Sequence, residues 1–236
     1  MSDIDKLKDI IKNSKRIAVF TGAGVSTESG IKDFRGKDGV SNYTDIPIEI
    51  LLSHTYYEKH TKEFFDYYRK CFNCMDKEPN ITHKFLKRLE DEGKLLGVIT
   101  QNVDGLDRKA GIKKVYEIHG TIYKNHCTDC GKEYPPESIF NCEGVPSCKC
   151  GGIIKPDVVL YEEPLPTDMI MNANKTIHEA DTLIVLGTSL MVYPAAGYVD
   201  MFRGDNLVII NRDETPYDNM ADVVIHESLS DVISKL

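Results

Sequence analysis

The chain has 236 residues, of which 41% are hydrophobic and 28% are charged, and its formal net charge is −8. These proportions are those of an ordinary globular protein and argue against a disordered chain, a collagen-like chain or a small disulfide-bonded scaffold. Because general binding to nucleic acid requires a positive surface, the negative charge argues against a nucleic-acid partner and favours basic protein segments.

The N-terminal segment predicts an amphipathic helix over residues 3–14, since Ile4, Leu7, Ile10 and Ile11 recur at helical spacing. The segment is charged and lacks the apolar stretch of a signal peptide. The longest apolar runs elsewhere in the chain are far too short to span a bilayer. We therefore expect a cytoplasmic protein without a membrane partner.

A glycine-rich turn follows the first predicted strand, residues 16–20. Gly22 and Gly24 would let the backbone approach a pyrophosphate, and the N–H groups at the start of the next helix would bind it. The dinucleotide fingerprint is incomplete, because Thr27 stands where a third glycine is usual and no acidic residue closes a second strand about 20 residues later. A tight turn that binds no ligand is therefore the alternative interpretation.

The residues that follow the turn make the pattern more specific. A dehydrogenase would have no need of the run Asp33, Phe34 and Arg35 at this place. An arginine can pair with phosphate, and a phenylalanine can cover a reactive centre and exclude water. The whole motif from Gly22 to Arg35 is therefore much more specific than its glycines alone.

Short, continuously apolar runs that alternate with helical stretches predict a doubly wound parallel α/β sheet, Rossmann-like and covered on both faces. The further strands are at residues 95–100, 115–118, 182–186 and 207–210, and the helical stretches include residues 83–92 and 169–180. This large part would comprise residues 1–35, 83–120 and 157–236.

Two segments do not fit the sheet. Residues 36–82 are rich in aromatic and charged side chains and predict a small helical lobe. Residues 121–156 hold cysteines, glycines and prolines without a long periodic run, and their core is too small to be stable alone. We therefore expect one domain, residues 1–236, in which a bound ion holds the second segment together as a small module.

Polar side chains follow two of the predicted strands at their carboxyl ends, which is where open α/β sheets bind their ligands. Gln101, Asn102 and Asp104 come after the strand 95–100, and His119 comes after the next strand. A histidine at such a position is a good general base near neutral pH. The alternatives are an Asx turn at Asp104 and a structural or solvated His119.

Five of the seven cysteines lie between Cys127 and Cys150, which indicates a metal site rather than disulfides in a chain without an export signal. The pairs Cys127–Cys130 and Cys148–Cys150 would supply four thiolates to a tetrahedral zinc ion. With four protein ligands no position stays open to water or substrate, so the ion would be structural. Cys142 is an alternative ligand, and free buried cysteines are the alternative to any metal site.

Several motifs occur together in this chain. They are Gly-Ala-Gly-x-Ser-x-x-Ser-Gly-Ile-x-Asp-Phe-Arg at residues 22–35, Thr-Gln-Asn-Val-Asp-Gly-Leu at 100–106, Glu-Ile-His-Gly at 117–120, and Gly-Thr-Ser-Leu at 187–190 followed by Asn211. In this order they resemble the sirtuins, the NAD-dependent protein-lysine deacylases. The resemblance extends through most of the chain and is to the bacterial, minimal-core members of the family.

The resemblance implies an enzyme that binds NAD and one structural zinc ion and acts on acylated-lysine proteins or peptides. It would remove acetyl or other apolar acyl groups and release nicotinamide, O-acetyl-ADP-ribose and free lysine. His119 would act as a base on a ribose hydroxyl, and Asn102 and Asp104 would position the nicotinamide and its ribose. A protein mono-ADP-ribosyltransferase that uses the same pocket is the alternative function.

The resemblance also implies a set of binding residues. The residues for NAD are Gly22, Ala23, Gly24, Ser26, Thr27, Asp33, Phe34, Arg35, Gln101, Asn102, Val103, Asp104, His119, Gly187, Thr188, Ser189, Asn211 and Leu229. Those for zinc are Cys127, Cys130, Cys148 and Cys150, and those for the substrate peptide are Val158, Val159, Leu160 and Tyr161.

Two departures from the family pattern bear on specificity. Asp107 stands where many sirtuins have a histidine, and we expect little effect because the position should point away from the nicotinamide. Asp66 stands three residues before Arg69, where relatives that remove acidic acyl groups have a tyrosine. An acetyl group or a longer apolar acyl group is therefore the expected substrate.

Overall fold

The computed structural model describes residues 2–33, 39, 44–193 and 195–236. Within these ranges a six-stranded parallel sheet and a three-stranded antiparallel sheet are connected by short helices. None of the helices in these ranges has both the length and the apolar composition needed to cross a membrane.

The larger sheet has the strand order β3-β2-β1-β7-β8-β9, with every neighbouring pair parallel. Successive crossovers run outward from β1 on one side and from β7 on the other, so the order reverses between these two strands. This confirms the predicted doubly wound, Rossmann-like sheet. The strands in chain order are β1 (Ile17–Thr21), β2 (Leu95–Thr100), β3 (Val115–Glu117), β4 (Gly120–Cys127), β5 (Glu133–Tyr134), β6 (Ile154–Val158), β7 (Thr182–Leu186), β8 (Asn206–Ile210) and β9 (Val223–Ile225).

The central strands are continuously apolar because both of their faces are covered. In β1, Ile17 and Val19 belong to the core on one side of the sheet, whereas Ala18 and Phe20 belong to the core on the other side. Since successive side chains of a strand point to opposite faces, a strand between two helical layers needs an apolar residue at every position. This is the pattern from which the strand was predicted.

The helices begin and end close to the predicted positions. The first helix starts with a capping box, in which the Ser2 hydroxyl accepts the N–H of Asp5 and the Asp5 carboxylate accepts the N–H of Ser2. The helices are α1 (Asp3–Asn13), α2 (Ile48–Leu51), α3 (His54–Lys59), α4 (Thr61–Phe72), α5 (Ile81–Asp91), α6 (Leu106–Lys109), α7 (Glu137–Phe140), α8 (Thr167–Glu179), α9 (Tyr198–Met201) and α10 (Leu229–Ile233).

The aromatic segment and the cysteine segment share one hydrophobic core. Phe64 and Tyr68 of α4 pack in the same cluster as Ile122 of β4, Phe140 of α7 and Leu160. The rings of Tyr68 and Phe140 are stacked with their centroids 5.6 Å apart. The described residues of the two segments therefore bury their apolar side chains against each other.

The antiparallel sheet β5-β4-β6 and the edge strand β9 are not among the predicted elements. The strand β5 has two residues and β9 has three, which is too short for a periodic pattern. In β4 the buried and exposed positions do not alternate regularly, since Ile122 is buried next to exposed Tyr123 and Lys124. Their pairing partners, and not their own sequences, make these segments strands.

The turn after β1 touches the turn after β7 backbone to backbone. The N–H of Gly24 donates to the carbonyl of Gly187 at 2.8 Å, and the N–H of Gly22 donates to the carbonyl of Leu186 at 3.0 Å. A Cβ atom on Gly24 would lie 2.8 Å from both the Cα and the carbonyl oxygen of Gly187, and Gly187 itself has a φ of +59°. The contact therefore requires glycine on both sides.

We expect Gly24→Ala to lower the free energy of unfolding by about 1–3 kcal/mol, because the added methyl group meets backbone atoms that cannot move away. Gly197→Ala is the matched control, since Gly197 has a φ of −63° and no heavy atom within 4 Å of an added Cβ. Urea denaturation of both variants measures the difference. Equal denaturation midpoints for the two variants would contradict the close approach.

Candidate functional site

A cavity of about 780 Å³ lies at the carboxyl ends of the large sheet, between that sheet and the core shared by the aromatic and cysteine segments. Most of the predicted binding residues line it. From the large sheet these are Gly22, Ala23, Gly24, Thr27, Asp33, Gln101, Asn102, Val103, His119, Gly187, Thr188, Ser189, Asn211 and Leu229, and from the segment after β6 they are Val158, Val159, Leu160 and Tyr161. Residues that are far apart in the sequence thus line the same cavity.

Asn80, which no sequence motif indicated, holds the glycine turn in place through hydrogen bonds. The predicted helix after the turn is instead two single 3₁₀ turns, Ala23–Val25 and Thr27–Ser29. The Asn80 side-chain amide, at the start of α5, donates to the carbonyl of Val25 at 2.7 Å and to the Ser29 hydroxyl at 3.0 Å. The loop is therefore fixed by side-chain hydrogen bonds rather than by helix packing.

Ser26 and Asp104 are not among the described residues that line the cavity. They form a layer of polar groups behind Asn102. The side-chain amide of Asn102 donates to the carbonyl of Gly22 at 3.0 Å and to the Ser26 hydroxyl at 3.2 Å. That hydroxyl donates to the Asp104 carboxylate at 2.6 Å, and the other Asp104 oxygen accepts the N–H of Leu106 at 2.8 Å. The end of β2 is thus tied to the glycine turn through buried polar groups.

His119 lines the cavity, and Nδ1 is its ring nitrogen with a hydrogen-bond partner among the described residues. Its Nδ1 lies 3.1 Å from the carbonyl oxygen of Gln101, which can only accept, so Nδ1 carries the proton and Nε2 keeps the lone pair. Gly120 follows with a φ of +78°, and a Cβ there would collide with the carbonyl oxygen of Asp157. The glycine lets β4 leave directly after the histidine, which keeps the imidazole at the cavity wall.

Burial shifts the two titratable groups of the site in opposite directions. It lowers the pKa of His119, against a smaller raising effect of the hydrogen bond to the Gln101 carbonyl. It raises the pKa of Asp104, against the lowering effect of the hydrogen bonds from Ser26 and Leu106. Both shifts have one cause, because a charge loses its hydration when it is buried. His119 is therefore neutral, and able to accept a proton, at physiological pH.

The segment Val158–Tyr161 crosses the cavity wall from the antiparallel sheet to α3. The N–H of Val159 donates to the carbonyl of His119 at 2.9 Å, and the N–H of Tyr161 donates to the carbonyl of Leu52 at 3.0 Å. The segment therefore joins the histidine strand to the helices of residues 48–72. Glu162 follows with a φ of +76°, and its carboxylate accepts the backbone N–H and the hydroxyl of Thr55.

Several lining residues were missed by the sequence analysis. The apolar wall opposite the sheet is formed by Ile48, Leu52, Tyr68 and Phe72. They belong to short helices whose aromatic content predicted a lobe but did not indicate which side chains face a ligand. Phe34 and Arg35, predicted for NAD, lie outside the described residues.

Four cysteine sulfurs lie together on the outer side of the antiparallel sheet. The Sγ atoms of Cys127, Cys130, Cys148 and Cys150 are all within 4.8 Å of one another, with Cys127 to Cys150 at 3.4 Å and Cys130 to Cys148 at 3.7 Å. Four sulfurs about 2.3 Å from a tetrahedral zinc ion would be about 3.8 Å apart. The cluster therefore fits zinc, and with four protein ligands the ion is structural.

Cys142, the alternative ligand, is elsewhere. Its Sγ lies 3.8 Å from the Arg69 guanidinium, and it is not part of the cysteine cluster in the described chain. The Tyr134 hydroxyl donates to the sulfur of Cys148 at 3.0 Å, which orients that ligand from outside. The assignment made from the spacing of the two pairs agrees with this geometry.

The Sir2 family model matches residues 22–194 of this chain. An NAD-dependent protein deacetylase of Clostridium acetobutylicum is 50% identical over 238 residues, which are 99% of this chain and 97% of the relative.

Solved structures are similar over the same length. A Sir2 variant with a deacetylated peptide and 3′-O-acetyl-ADP-ribose has a TM-score of 0.91 at 33% identity and covers 98% of this chain and 96% of its own. A Sir2 complex with a peptide and NAD⁺ has a TM-score of 0.88 at 34% identity and covers 100% of this chain and 97% of its own.

We expect Cys148→Ser to lose bound zinc and to lower the free energy of unfolding by more than about 3 kcal/mol, because the free energy of metal binding is folding free energy in such a small module. Cys142→Ser should retain one zinc ion per chain, since its sulfur lies against Arg69. Metal analysis by mass spectrometry and thermal unfolding compare the two. Loss of zinc from the Cys142 variant alone would show that the ligand set is wrong.

Proposed function

The chain belongs to the Sir2 family and is an NAD-dependent protein deacetylase, and we propose that His119, Asn102 and Asp104 carry its chemistry. The observation that carries this proposal is the convergence of three segments on one cavity: the glycine turn, the end of β2 and the end of β3. The carboxyl ends of parallel strands meet at one edge, so Asn102 and His119 would face the same ligand, with Asp104 behind Asn102.

The backbone of Gly22 to Gly24 is proposed to lie against the pyrophosphate of NAD, because glycine allows close approach. The N–H groups of Gly22 and Gly24 already donate to the carbonyls of Leu186 and Gly187, so the N–H of Ala23 is the one of these three proposed to bind the phosphate. Ser189 and Asn211, at the ends of β7 and β8, would contact the ribose and adenine side, together with Leu229 at the start of α10. When bound, NAD supplies the ADP-ribosyl group to which the acetyl group of lysine is transferred, with release of nicotinamide.

The proposed role of Asn102 and Asp104 is to orient the nicotinamide end of the cavity. Asn102 reaches the cavity directly, and Asp104 acts through Ser26, whose hydroxyl it holds at 2.6 Å. Because every group in this network is buried and hydrogen-bonded, its geometry is set before the dinucleotide arrives. Asp104 is in this arrangement a positioning residue rather than a contact residue.

We propose that Nε2 of His119 takes a proton from a ribose hydroxyl of the bound dinucleotide. The hydrogen bond from Nδ1 to the Gln101 carbonyl fixes the tautomer and the ring orientation, and burial keeps the ring neutral. Deprotonation would make that hydroxyl the acceptor of the acetyl group, with the lysine amine as the leaving group. The apolar wall formed by Leu52, Tyr68 and Phe72 would exclude water from this step.

The proposed partner is an acetylated-lysine peptide that lies along Val158 to Tyr161. An extended peptide on a strand-like segment gains main-chain hydrogen bonds with little demand on its sequence. A net charge of −8 disfavours nucleic acid as a further partner. A cytoplasmic location is proposed as well, since all seven cysteines are free of disulfides, as in reducing compartments.

For the organisation of the domain we propose three parts, namely the large sheet, the helical lobe of residues 36–82 and the zinc module of residues 121–156. Support comes from the cysteine cluster, which lies within the third part, and from the core that α4 shares with β4 and α7. Among the described residues the cavity is lined by the large part and by Ile48, Leu52, Tyr68 and Phe72 of the helical lobe.

We expect the protein to remove the acetyl group from an acetyl-lysine peptide only when NAD is present, and His119→Ala to lower kcat by about 10²–10⁴-fold while NAD still binds. The exposed His178 provides the control variant His178→Ala, which should retain full activity. For the wild type, activity should fall as the pH drops below the lowered pKa of His119, because the protonated ring cannot act as a base.

Mass spectrometry of the peptide and isothermal titration with NAD measure these outcomes. ADP-ribose attached to protein, with the acetyl group left on the peptide, would instead indicate the transferase activity. Full deacetylation by the alanine variant at position 119 would exclude His119 as the base.

The acyl group is proposed to be acetyl or another apolar group. Arg69, the cation nearest to the aromatic wall in sequence, donates to the Asp66 carboxylate at 2.8 Å and is not among the described lining residues. The wall itself presents Ile48, Leu52 and Phe72. Arg212 is the one Lys or Arg side chain among the described lining residues, and it follows β8 on the side proposed for the adenine and its ribose. An acidic acyl group against the wall of Ile48, Leu52 and Phe72 would therefore lack a counter-charge on that wall.

We expect kcat/KM for a succinyl-lysine peptide to be at least about 100-fold below that for the same peptide with acetyl-lysine, because an unpaired carboxylate loses its hydration in the cavity. A butyryl-lysine peptide of the same sequence controls for size alone. Steady-state kinetics with the three peptides decide the point. A succinyl rate within a few-fold of the acetyl rate would refute the apolar preference.

A further inference from the structure

The carboxylate of Glu163 follows the segment Val158–Tyr161 and folds back onto it. Its side chain is 19% exposed, and donors from separate parts of the chain converge on its two oxygens. Oε2 accepts the backbone N–H of Leu160 at 2.9 Å, and Oε1 lies 2.9 Å from Nδ1 of His54. Nζ of Lys155 lies 3.1 Å from Oε1 and 3.2 Å from Oε2. Since a carboxylate has about four lone-pair positions, these contacts use all of them.

The two side chains that hold this carboxylate come from different parts of the fold. His54 begins α3 of the helical lobe, and Lys155 belongs to β6 of the antiparallel sheet. Burial acts to raise the pKa of Glu163, but the hydrogen bonds from Leu160 and His54 and the charge of Lys155 outweigh it, so the pKa lies below its ordinary value. The group is therefore ionised at neutral pH and joins the lobe and the sheet at the segment proposed to bind the peptide.

Glu163 makes hydrogen bonds with both backbone groups of Leu160. Besides the contact of the carboxylate with the N–H, the N–H of Glu163 donates to the carbonyl of Leu160 at 3.0 Å and closes a turn. The third residue of this turn, Glu162, has a φ of +76°, a conformation that favours glycine. A residue other than glycine persists there only when its surroundings hold it. The hydrogen bonds of Glu163 supply part of that support.

The N–H of Leu160 and the carbonyl of Val159 belong to the same peptide unit. Because this unit is planar and trans, the two groups point in opposite directions, and a bond that fixes the N–H also fixes the carbonyl. The N–H of Val159 donates to the carbonyl of His119 at 2.9 Å, whereas the Val159 carbonyl accepts no hydrogen bond among the described residues. Val159 lines the cavity. Its carbonyl is therefore a main-chain acceptor that the segment leaves available to a substrate peptide.

We propose that Glu163 is a positioning residue for substrate binding, because its carboxylate holds the peptide unit between Val159 and Leu160 in the orientation in which the Val159 carbonyl accepts an N–H group of the acetyl-lysine peptide. His54 and Lys155 hold the carboxylate in turn. With this orientation set beforehand, the peptide does not have to order the segment when it binds. The inference rests on the proposed peptide site and adds the residue that sets its geometry.

Glu163→Ala tests the inference, because it leaves the N–H of Leu160 without its acceptor and frees the peptide unit to rotate. We expect the KM for an acetyl-lysine peptide at saturating NAD to rise about tenfold, with kcat and the KM for NAD within about twofold of the wild type. Glu163→Gln keeps the shape and an oxygen acceptor for Leu160 but has no charge. Its KM for the peptide should rise by no more than about threefold.

Glu58→Gln is the matched control. The Glu58 carboxylate lies 3.3 Å from Nε2 of the same His54, and its side chain is 65% exposed. Its loss removes a charge next to the histidine and should leave kcat and both KM values unchanged. Steady-state kinetics measures the constants, and circular dichroism follows the folded fraction. If Glu163→Ala does not fold with Lys155 unpaired, the double variant Glu163→Ala/Lys155→Met removes both charges and takes its place.

An unchanged KM for the peptide in the folded alanine variant would overturn the inference. Equal increases in the alanine and glutamine variants would do so as well, since the charge of Glu163, and not its bond to Leu160, would then act on the peptide. A fall in kcat together with a rise in the KM for NAD would show a general loss of structure and would also overturn it. In each case NAD-dependent deacetylation by the wild type would still support the proposed function, whereas its absence would remove both.

Discussion

Gly24 and Gly187 meet where β1 and β7 end, with the N–H of one donating to the carbonyl of the other at 2.8 Å. The crossovers from these two strands run to opposite halves of the sheet, so a crevice opens above the point where they part. Any larger side chain at either position would push the two turns apart. The depth of the cavity, and the approach of a dinucleotide to the backbone, follow from this absence of side chains.

The opposite wall of the cavity depends on a different kind of support. Val158 and Leu160 belong to the same hydrophobic cluster as Cys127 and as the aromatic residues of α4. A zinc ion on the four cysteines would therefore stabilise, through that cluster, the segment proposed to bind the peptide. The four cysteines are not among the described lining residues of the cavity, so the metal would contribute to function by keeping this wall in place.

Burial determines the charge states at the site. The same loss of hydration lowers the pKa of His119 and raises that of Asp104 and Asp107, so burial shifts each group toward its neutral form relative to its ordinary range in water. Neutral groups whose hydrogen bonds are fixed can orient a charged cofactor, because they do not compete with it for the charged groups that balance its charge. The arrangement also makes the site sensitive to pH, because each buried group returns to its charged form outside a limited range.

The sequence alone was sufficient for five of the six strands of the large sheet, for the cysteine pairs and for the residues at the strand ends, because each is a local pattern. The strand Leu95–Thr100 is apolar through most of its length, and a Cβ atom on Gly22 or Gly24 would collide with the turn after β7. Only the tertiary structure decided which residues meet across long separations. It placed Tyr68 and Phe72 on the cavity wall, left Asp104 one layer behind Asn102, and buried Asp107 among other acids. Such neighbours depend on how several elements pack at once, and no periodicity within one segment records that packing.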